Sequence, residues 1–467
     1  MEPVTRRRTR GRLDAEVTPV FGAQTALAVA NFPFGVPMPA AFVSALALLK
    51  AACAHANTQL GYLDVVRSDA IVAAALEVAQ GQHAEQFPVD VYQTGSGTSS
   101  NMNANEVIAT LAQLRCGFPV HPNDHVNFGQ SSNDVVPSAI QVSAVLAARL
   151  LLTALEALRA TILVRARELR SVVKTGRTHL MDAMPLTLGQ ELNAWAAQLE
   201  QAAARVRDTL KRVRQLPLGG TAIGTGINVD PGMAGEALRW LNAHTGERFV
   251  TAKNRFIGIA AKDECVELSG QLNALACALM KIANDLRWMN SGPLAGLGEL
   301  ELPALQAGSS IMPGKVNPVI PEALAMICAQ VMGNHVTITI AGQSGNFQLN
   351  VMLPVIAHNL LSSMHLLSLG MQQLATRVIA DFKVQRARLA SQLARNPILV
   401  TALNPILGYE QAAALAKQAY AQNKPILEVV LASGLVDPKL LDRLLDPLNL
   451  TLGGVTDQHS GSAKLIP

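Results

Sequence analysis

Residues 308–318 read Gly308-Ser309-Ser310-Ile311-Met312-Pro313-Gly314-Lys315-Val316-Asn317-Pro318 and combine turn-forming residues with reactive side chains. The glycines and prolines predict a loop rather than a helix or strand. Pro321 and Glu322 follow, and they suit the first turn of a helix, where proline loses no hydrogen bond and the helix dipole favours an anion. The stretch therefore predicts a mobile loop that carries hydroxyls and a cation and leads into a helix.

A nucleotide-binding phosphate loop is the motif nearest to this pattern, and the spacing argues against it. That motif needs four residues between its glycines, followed by Lys and then Ser or Thr. Here five residues separate Gly308 from Gly314, and Val316 follows Lys315. An ordinary turn would explain the glycines and prolines, but it would not explain a lysine and an asparagine beside two serines.

The composition predicts a large helical protein. The chain has 467 residues, which suggests about three domains. Hydrophobic residues make up 49% of the chain and aromatic residues 4%, so small aliphatic side chains must form the core, which favours close-packed long helices. The net charge of +4 is small for this length and argues against a nucleic-acid partner.

The termini and cysteines predict a cytoplasmic protein. Arginines are frequent between positions 6 and 12 and indicate a solvated tail, and no apolar segment follows them as a secretory signal would require. The cysteines are scattered without a C-x-x-C pair, which is typical of thiols in a reducing compartment. We expect no membrane-spanning helix, because no uncharged apolar run approaches about 18 residues.

Apolar periodicity predicts a helical bundle. Long, mostly apolar helical patterns cover about 137–170, 187–214, 260–290, 321–341 and 354–393. Residues 13–36 and 174–185 are predicted to be irregular. Three domains are expected, namely an N-terminal domain (1–129), a central helical-bundle domain (130–384) and a small C-terminal helical domain (385–467). The chemical residues then lie in loops between buried helices.

Three further polar loops carry chemical groups. Residues 94–103 are nearly all hydroxyl, amide and glycine residues without charge, and they can donate several hydrogen bonds to an anion. His121, Asp124 and His125 could suggest a metal, but a proline-containing loop does not fix them at helical spacing and no further ligand pair is evident. We therefore expect no metal. His179 is a candidate acid or base near neutral pH.

These stretches together resemble a known family. Residues 308–317 match the signature G-S-S-x-M-P-x-K-x-N at every fixed position. Other family blocks match in the same order, at 94–106, 121–134, 175–191, 219–228 and 344–350. The chain resembles the fumarase/aspartase superfamily, and specifically its class II, metal-free fumarases.

The resemblance implies a fold, an assembly and a reaction. The fold is mainly α, with a long central helical bundle flanked by two smaller, mostly helical domains. The assembly is a homotetramer in which each active site takes loops from three subunits. The reaction is the reversible hydration of fumarate, a small dicarboxylate, to L-malate through an aci-carboxylate intermediate, a step of the tricarboxylic acid cycle that needs no cofactor.

Individual positions favour the fumarase branch over the aspartase branch. Ser96 and Ser132 stand where aspartases tend to carry Ala and Thr. Gly314 and His179 point the same way, whereas residues 319–321 look more like an aspartase.

The resemblance also implies roles for single residues. Ser309 would take the proton from carbon, His179 paired with Glu322 would handle the water, and Lys315 would stabilise the developing charge. The implied substrate-binding residues are Ser96, Gly97, Thr98, Ser131, Ser132, Asn133, Thr178, Ser310, Val316 and Asn317. A secondary carboxylate site is implied at His121, Pro122, Asn123 and Asp124.

Three departures from the family pattern keep alternatives open. Phe118 stands where fumarases usually carry a basic residue of the secondary site, Leu27 replaces a usual arginine, and residues 376–381 lack an expected Cys-Val-x-Gly-Ile element. One alternative is an aspartate ammonia-lyase or a lyase of another succinyl compound. The other is a helical scaffold or binding protein that has lost its activity.

Overall fold

The computed structural model describes residues 19–454 and is mainly helical, as predicted. The arginine-rich tail lies outside this range. The helices of the first part of the chain are α1 (Ala23–Asn31), α2 (Ala40–Gln59), α3 (Val65–Ala79), α4 (Thr98–Cys116), α5 (Ser132–Glu168), α6 (Leu188–Val213), α7 (Met233–Thr245), α8 (Arg255–Ala260) and α9 (Asp263–Met289). Those that follow are α10 (Val319–Gln343), α11 (Leu353–Leu374), α12 (Arg386–Ala394), α13 (Asn404–Leu407), α14 (Tyr409–Gln422), α15 (Ile426–Ser433), α16 (Pro438–Leu444) and α17 (Pro447–Leu450).

Short strands lie between the helices and pair with one another in two-stranded sheets. The strands are β1 (Val173–Thr178), β2 (Met181–Thr187), β3 (Gln215–Leu216), β4 (Val250–Thr251), β5 (Leu300–Glu301), β6 (Gly345–Asn346), β7 (Leu349–Asn350) and β8 (Lys383–Val384). β1 pairs with β2, β5 with β8 and β6 with β7 in antiparallel fashion, and β3 pairs with β4 in parallel.

The chain divides into two compact units. The first contains residues up to 147, 210–269 and 335–362, and the second contains the remainder. In the first unit α2 packs against α3 and α7, and α4 packs against α1 and α3. In the second unit β1 contacts α12, and the last helices close over their own apolar cluster, which includes Leu403 and Val430. The boundaries 1–129, 130–384 and 385–467 stay a prediction.

The predicted long helices are present, with one exception. Helices α5, α6, α9 and α10 span 37, 26, 27 and 25 residues near the predicted positions. The prediction of one helix over 354–393 is wrong, because α11 ends at Leu374 and a π-helical turn follows. The Arg165 guanidinium lies over the Phe382 ring and donates to the Phe382 carbonyl at 2.7 Å. This contact and the pairing of β8 with β5 draw the chain out of the helix.

The prediction of irregular structure over 13–36 is also wrong, because α1 lies within it. The start of α1 is capped by a distant side chain: the Glu106 carboxylate of α4 accepts from the N–H groups of Gly22, Gln24 and Thr25 at 2.9, 3.0 and 3.1 Å. These N–H groups have no partner within the helix, so a contact far away in sequence stabilises a helix that local sequence does not indicate.

The segment 174–185, predicted as a loop, is a β-hairpin. Thr178 pairs with Met181, and the pairing continues to Val173 and Thr187 with one irregularity after Thr175. The polar, glycine-containing sequence resembles a loop because the hairpin obtains its stability from buried charges rather than from apolar alternation.

Within residues 19–454, three helices are long and apolar enough to cross a membrane by length and composition, contrary to our expectation, namely α2, α5 and α10. In α2 and α5, 67% and 72% of the apolar window is buried inside the fold, since both helices pack in the core. The share is 28% for α10, so this helix leaves much of its apolar surface exposed in the single chain.

Candidate active site

The first unit gathers hydroxyl groups at the N-termini of two helices. Helix α4 begins at Thr98 and α5 at Ser132. The Thr98 Oγ1 lies 2.8 Å from the Ser96 Oγ and 2.7 Å from the Ser132 Oγ, and the Asn133 N–H donates to the Ser131 Oγ at 3.2 Å. The structure thus brings these predicted binding residues together. Helix starts present N–H groups and a positive dipole end, so the place favours an anion.

Gly97 sets the distance between these two helix starts. Its φ is 73°, and a Cβ at this position would lie 2.7 Å from the Val136 side chain of α5. Glycine meets both requirements, because it adopts positive φ readily and carries no side chain.

Asp134 fixes the start of α5 to a neighbouring segment. Its buried carboxylate accepts from the N–H groups of Ser131, Gly219 and Thr221, each at 2.9 Å. Burial raises the pKa of the Asp134 carboxyl, although these N–H groups and the charge of Lys50 act in the opposite direction.

The segment 344–350 forms the β6–β7 hairpin, and the chain that follows it contacts the loop before α4. The Leu353 N–H donates to the Gly95 carbonyl at 2.9 Å. A Cβ on Gly95 would run into the carbonyl oxygen of Val351. The family block 344–350 is therefore joined directly to the residue that precedes Ser96.

In the second unit, Thr178 and His179 lie at the tip of the β1–β2 hairpin. His179 and Leu180 form its two-residue turn, with φ values of 56° and 60°. Two positive φ values are typical of a type I′ turn. Both turn side chains are exposed, so the His179 imidazole is accessible.

Buried charges support this hairpin. The Lys174 Nζ lies 2.9 Å from the Glu191 carboxylate and 2.8 Å from that of Glu299, and Arg177 pairs with Glu299 as well. The side chains of Lys174 and Glu299 are each 1% exposed. Burial by itself raises the pKa of Glu299, but the hydrogen bonds and charges of Arg177 and Lys174 outweigh it and bring the pKa below its usual value.

The stretch 308–318 is a loop, as predicted, and it closes on itself at its neck. The Gly308 N–H donates to the Lys315 carbonyl at 2.9 Å, and the Asn317 Nδ2 donates to the Gly308 carbonyl at 2.7 Å. The Lys315 Nζ donates to the Asn317 Oδ1 at 2.6 Å. Two predicted active-site side chains are therefore held against each other.

The Ser309 hydroxyl is held from within the loop. Its Oγ accepts from the N–H groups of Ile311 and Met312 at 3.2 and 3.1 Å. Two N–H dipoles aimed at one oxygen stabilise negative charge on it. The predicted binding residues Ser310 and Val316 are exposed on the same loop.

Glu322 lies in the first turn of α10, as predicted. Together with Lys315 and Asn317 it lines a cleft of about 1470 Å³ in the second unit. Within the described residues of this chain, Glu322 and His179 share no hydrogen bond or ion pair. The single chain therefore does not form the predicted His179–Glu322 pair.

The predicted secondary site is a compact turn. His121 caps the π-helical turn Pro122–Val126, because its Nδ1 accepts from the N–H groups of Asn123 and Asp124 at 3.3 and 3.1 Å. A ring nitrogen that accepts these bonds cannot also donate to the Asp124 carboxylate. Phe118 is exposed nearby in sequence, and it supplies no charge that would bind a carboxylate.

Among residues 19–454, no group of three or more His, Cys, Asp or Glu side chains is arranged to hold a metal ion. Two buried lysines that support the site, Lys50 of α2 and Lys174 of β1, were not predicted from the sequence. A signal was present for one of them, since Lys50 is the lone Asp, Glu, Lys or Arg in the otherwise uncharged apolar sequence of α2.

Comparisons with known proteins agree with this architecture. A family model described as a lyase matches residues 11–333, and one described as the fumarase C C-terminus matches residues 399–452. The class II fumarate hydratase of Xylella fastidiosa (strain 9a5c) is 61% identical over 447 residues, which cover 95% of this chain and 94% of that protein. A class II fumarate hydratase of Pseudomonas aeruginosa is 56% identical over 96% of this chain and 98% of its own length.

Solved structures agree as well. The class II fumarase of Schistosoma mansoni has a TM-score of 0.90 at 38% identity and covers 94% of this chain and 96% of its own. A fumarate lyase of Brucella melitensis, described as bound to cobalt, has a TM-score of 0.90 at 44% identity, with 96% and 99% covered. The chain therefore belongs to the fumarase/aspartase superfamily of lyases and, within it, to the class II fumarases.

Proposed function

We propose that the chain catalyses the reversible addition of water to fumarate to give L-malate. The observation that carries the proposal is the Ser309 hydroxyl, which accepts two loop N–H groups at 3.2 and 3.1 Å within the family signature. Relatives at 56% and 61% identity over nearly the whole chain are named class II fumarate hydratases, which supports the same reaction here.

The chemical difficulty of the reaction is the acidity of carbon. A C–H beside a carboxylate is a very weak acid, and its removal places a second negative charge on that carboxylate. Lys315, Asn317, Thr98 and Asn133 are the proposed donors to this aci-carboxylate. Donors aimed in advance at the developing charge lower the barrier most in a site that excludes water.

Ser309 is the proposed base that takes the proton from carbon. A serine hydroxyl is too weak a base unless its alkoxide is stabilised. The N–H groups of Ile311 and Met312 supply such stabilisation, and Lys315 would add its charge on closing towards the substrate.

His179 is the proposed partner of the water, oriented by Glu322. As the C–O bond of malate breaks, an electron pair of the aci-carboxylate forms the C–C double bond. The His179 imidazolium gives its proton to the leaving hydroxide, which departs as water. Because the His179 hairpin and Glu322 are not paired within one chain, we propose that they meet between subunits.

The proposed assembly is a homotetramer whose active sites each take loops from three subunits. Only 28% of the apolar window of α10 is buried within the chain, and its exposed apolar surface supports packing against further copies. We also propose a cytoplasmic location and a role in the tricarboxylic acid cycle, with a small dicarboxylate as substrate, no cofactor, and no nucleic-acid or membrane partner.

The test is the absorbance of fumarate after L-malate and L-aspartate are offered separately to the purified protein. We expect a rise with malate alone. A rise with aspartate alone would instead identify an aspartate ammonia-lyase. Residues 319–321, which look more like those of an aspartase, favour this alternative. No rise with either substrate would favour another succinyl compound or a protein without activity.

A further inference from the structure

A fully buried lysine contacts the loop that leads to the hydroxyl cluster of the first unit, which consists of Ser96, Thr98, Ser131 and Ser132. Lys50 of α2 is 0% exposed. Its Nζ donates to the Asn127 Oδ1 at 2.8 Å and to the Gln130 Oε1 at 2.9 Å. Both acceptors are neutral amides, and a buried ammonium is costly unless it has such partners and a nearby opposite charge. The fold therefore retains an expensive charge at this place.

The partners of Lys50 connect the two helix starts that carry the hydroxyls. The Asn127 Oδ1 also accepts from the Asn101 Nδ2, in the first turn of α4, at 3.1 Å. The Asn127 Nδ2 donates at 3.2 Å to the carbonyl of Gln130, the residue that precedes Ser131. One ammonium thus orients the amides on which the starts of both α4 and α5 rest.

The same helix holds this loop at a second point. The Asn57 Nδ2 donates to the Phe128 carbonyl at 3.1 Å, and it lies two helical turns from Lys50, on the same face of α2. The loop between Asn127 and Gln130 is therefore held by α2 at two points, in addition to the hydrogen bonds within the loop.

The charge balance around the cluster favours an anion above it. The hydroxyl cluster carries no charge, and the Asp134 carboxylate beneath it is 0% exposed and satisfied by three backbone N–H groups. With Asp134 alone the site would repel a dicarboxylate. When Lys50 is protonated, its ammonium offsets that charge, and the positive ends of α4 and α5 then act on the incoming carboxylate.

We propose that Lys50 is a positioning residue that acts through Asn127 and Gln130 to hold the α4 and α5 starts for a substrate carboxylate, and that its charge selects for dianions there. This inference rests on the proposed function for the identity of the substrate.

A bound dianion should also change the protonation of Lys50. Burial lowers the pKa of Lys50 to about 7, against the opposing influence of Cys53 and Asp134. Burial raises the pKa of Cys53 to about 12, so its thiol is neutral, and Asp134 is the remaining acidic group whose negative charge favours the ammonium form of Lys50. A dicarboxylate above the cluster raises the pKa of Lys50, so binding takes up protons near neutral pH.

The first experiment compares Lys50→Met with wild type in steady-state kinetics of L-malate dehydration. Met has a similar shape but neither charge nor donors. We expect the KM for L-malate to rise at least about tenfold, the effect of losing hydrogen bonds to a charged group, while kcat changes much less. The matched control is Cys53→Ala, an equally buried position one turn along α2, whose KM should stay at the wild-type value.

The second experiment measures proton uptake on binding of succinate, a saturated dicarboxylate that does not react. Titration calorimetry in two buffers of different ionisation enthalpy gives the number of protons bound. We expect uptake by wild type and Cys53→Ala near pH 7.5, and a clear loss of uptake in Lys50→Met. If Lys50→Met does not fold, Lys50→Gln removes the charge and retains one polar head for the same two measurements.

Wild-type KM together with wild-type proton uptake in the Lys50 variants would overturn the inference. The succinate titration needs no turnover, so its result is independent of the malate assay. Wild-type protein that hydrates fumarate while its Lys50 variants behave normally would leave the proposed function intact and refute the role of Lys50.

Discussion

The Ser309 hydroxyl is held by two backbone N–H groups of its own loop, and this contact changes what a serine can do. An ordinary serine oxygen is a poor base, but an oxygen that accepts from Ile311 and Met312 carries negative charge at lower cost. Negative charge on the Ser309 oxygen is thus stabilised by backbone N–H groups of its own loop, and Lys315 would add to this stabilisation.

Replacement of Ser309 tests this at the level of one atom. A positioned base contributes about 10²–10⁴-fold to the rate, so Ser309→Ala should lower kcat for malate dehydration by at least about a hundredfold. The initial rate of the rise in fumarate absorbance measures this kcat, and Ser433→Ala is the control outside the predicted site. Turnover of Ser309→Ala within a few-fold of wild type would rule out Ser309 as the base.

The sequence indicated candidate reactive residues, but it did not indicate the contacts that support them. Ser309 and Asn317 stand in a signature, so their prediction needed no coordinates. The N–H bonds to Ser309 depend on how the loop closes at Gly308, and the partners of Lys50 lie about 80 positions away. Such contacts are set by packing, which a linear pattern does not contain.

At the level of elements, the β1–β2 hairpin and the loop before α4 present the predicted catalytic and binding groups, and both depend on distant supports. The ion pairs of Lys174 and Arg177 with Glu299 stabilise the hairpin. The loop before α4 packs against the segment around Val351. The sequence predicted irregular chain at 174–185 because ion pairs leave no periodic signal. It also missed α1, which Glu106 caps from α4.

Glu299→Gln should weaken the hairpin. The change removes the carboxylate charge that Arg177 faces and leaves Lys174 with Glu191 alone, and breaking a buried pair typically costs about 3–5 kcal/mol. We expect a lower free energy of unfolding by urea denaturation and slower turnover through displacement of His179. The control is Glu301→Gln, an exposed position paired with Lys383, where about 0–1 kcal/mol is expected.

The pH dependence of this difference has a defined sign. Because the folded-state pKa of Glu299 lies below its usual value of 4.5, its ionised form contributes stability above pH 4.5 that is lost as the pH falls through the folded-state pKa. The gap in unfolding free energy between wild type and Glu299→Gln should therefore be constant near neutral pH and shrink in acid. A gap that grows in acid would contradict the buried ion pair.

Gly95→Ala should disrupt the contact between the loop before α4 and the segment after β7. A methyl group there meets the backbone of Val351, which cannot move away as a side chain would. We expect a lower melting temperature and a raised KM. Gly235→Ala is the control, since a Cβ at that helical position meets nothing within 4 Å and Ala favours helix by about 0.5–1 kcal/mol. An unchanged melting temperature in Gly95→Ala would show that the two segments are not in close contact.

On the scale of the whole molecule, long apolar helices determine the fold, and one of them, α10, keeps much of its apolar surface exposed. Met326 and Val336 of α10 are 68% and 57% exposed, and such exposed apolar surface typically marks an interface. The helical fold was predictable because long apolar periodicity is a strong signal. That periodicity does not indicate what would cover the exposed face of α10.

The proposed sharing of active sites between subunits predicts complementation between inactive variants. If His179 and Ser309 of one site come from different subunits, co-expressed His179→Ala and Ser309→Ala chains should form mixed tetramers in which roughly a quarter of the sites are intact by random association. The activity of the purified mixture measures this, with separately expressed variants combined without refolding as the control. No recovery in mixed tetramers would place both residues in the same subunit.

The two-residue turn of the hairpin implies a trade-off between thermal stability and activity. His179 and Leu180 both adopt left-handed backbone conformations, which cost L-residues with side chains roughly 1 kcal/mol each. Asn and Gly are the residues that this turn favours, so His179→Asn with Leu180→Gly should raise the melting temperature while it removes the imidazole. Selection for heat resistance alone would then drive this hairpin towards a more stable and inactive protein.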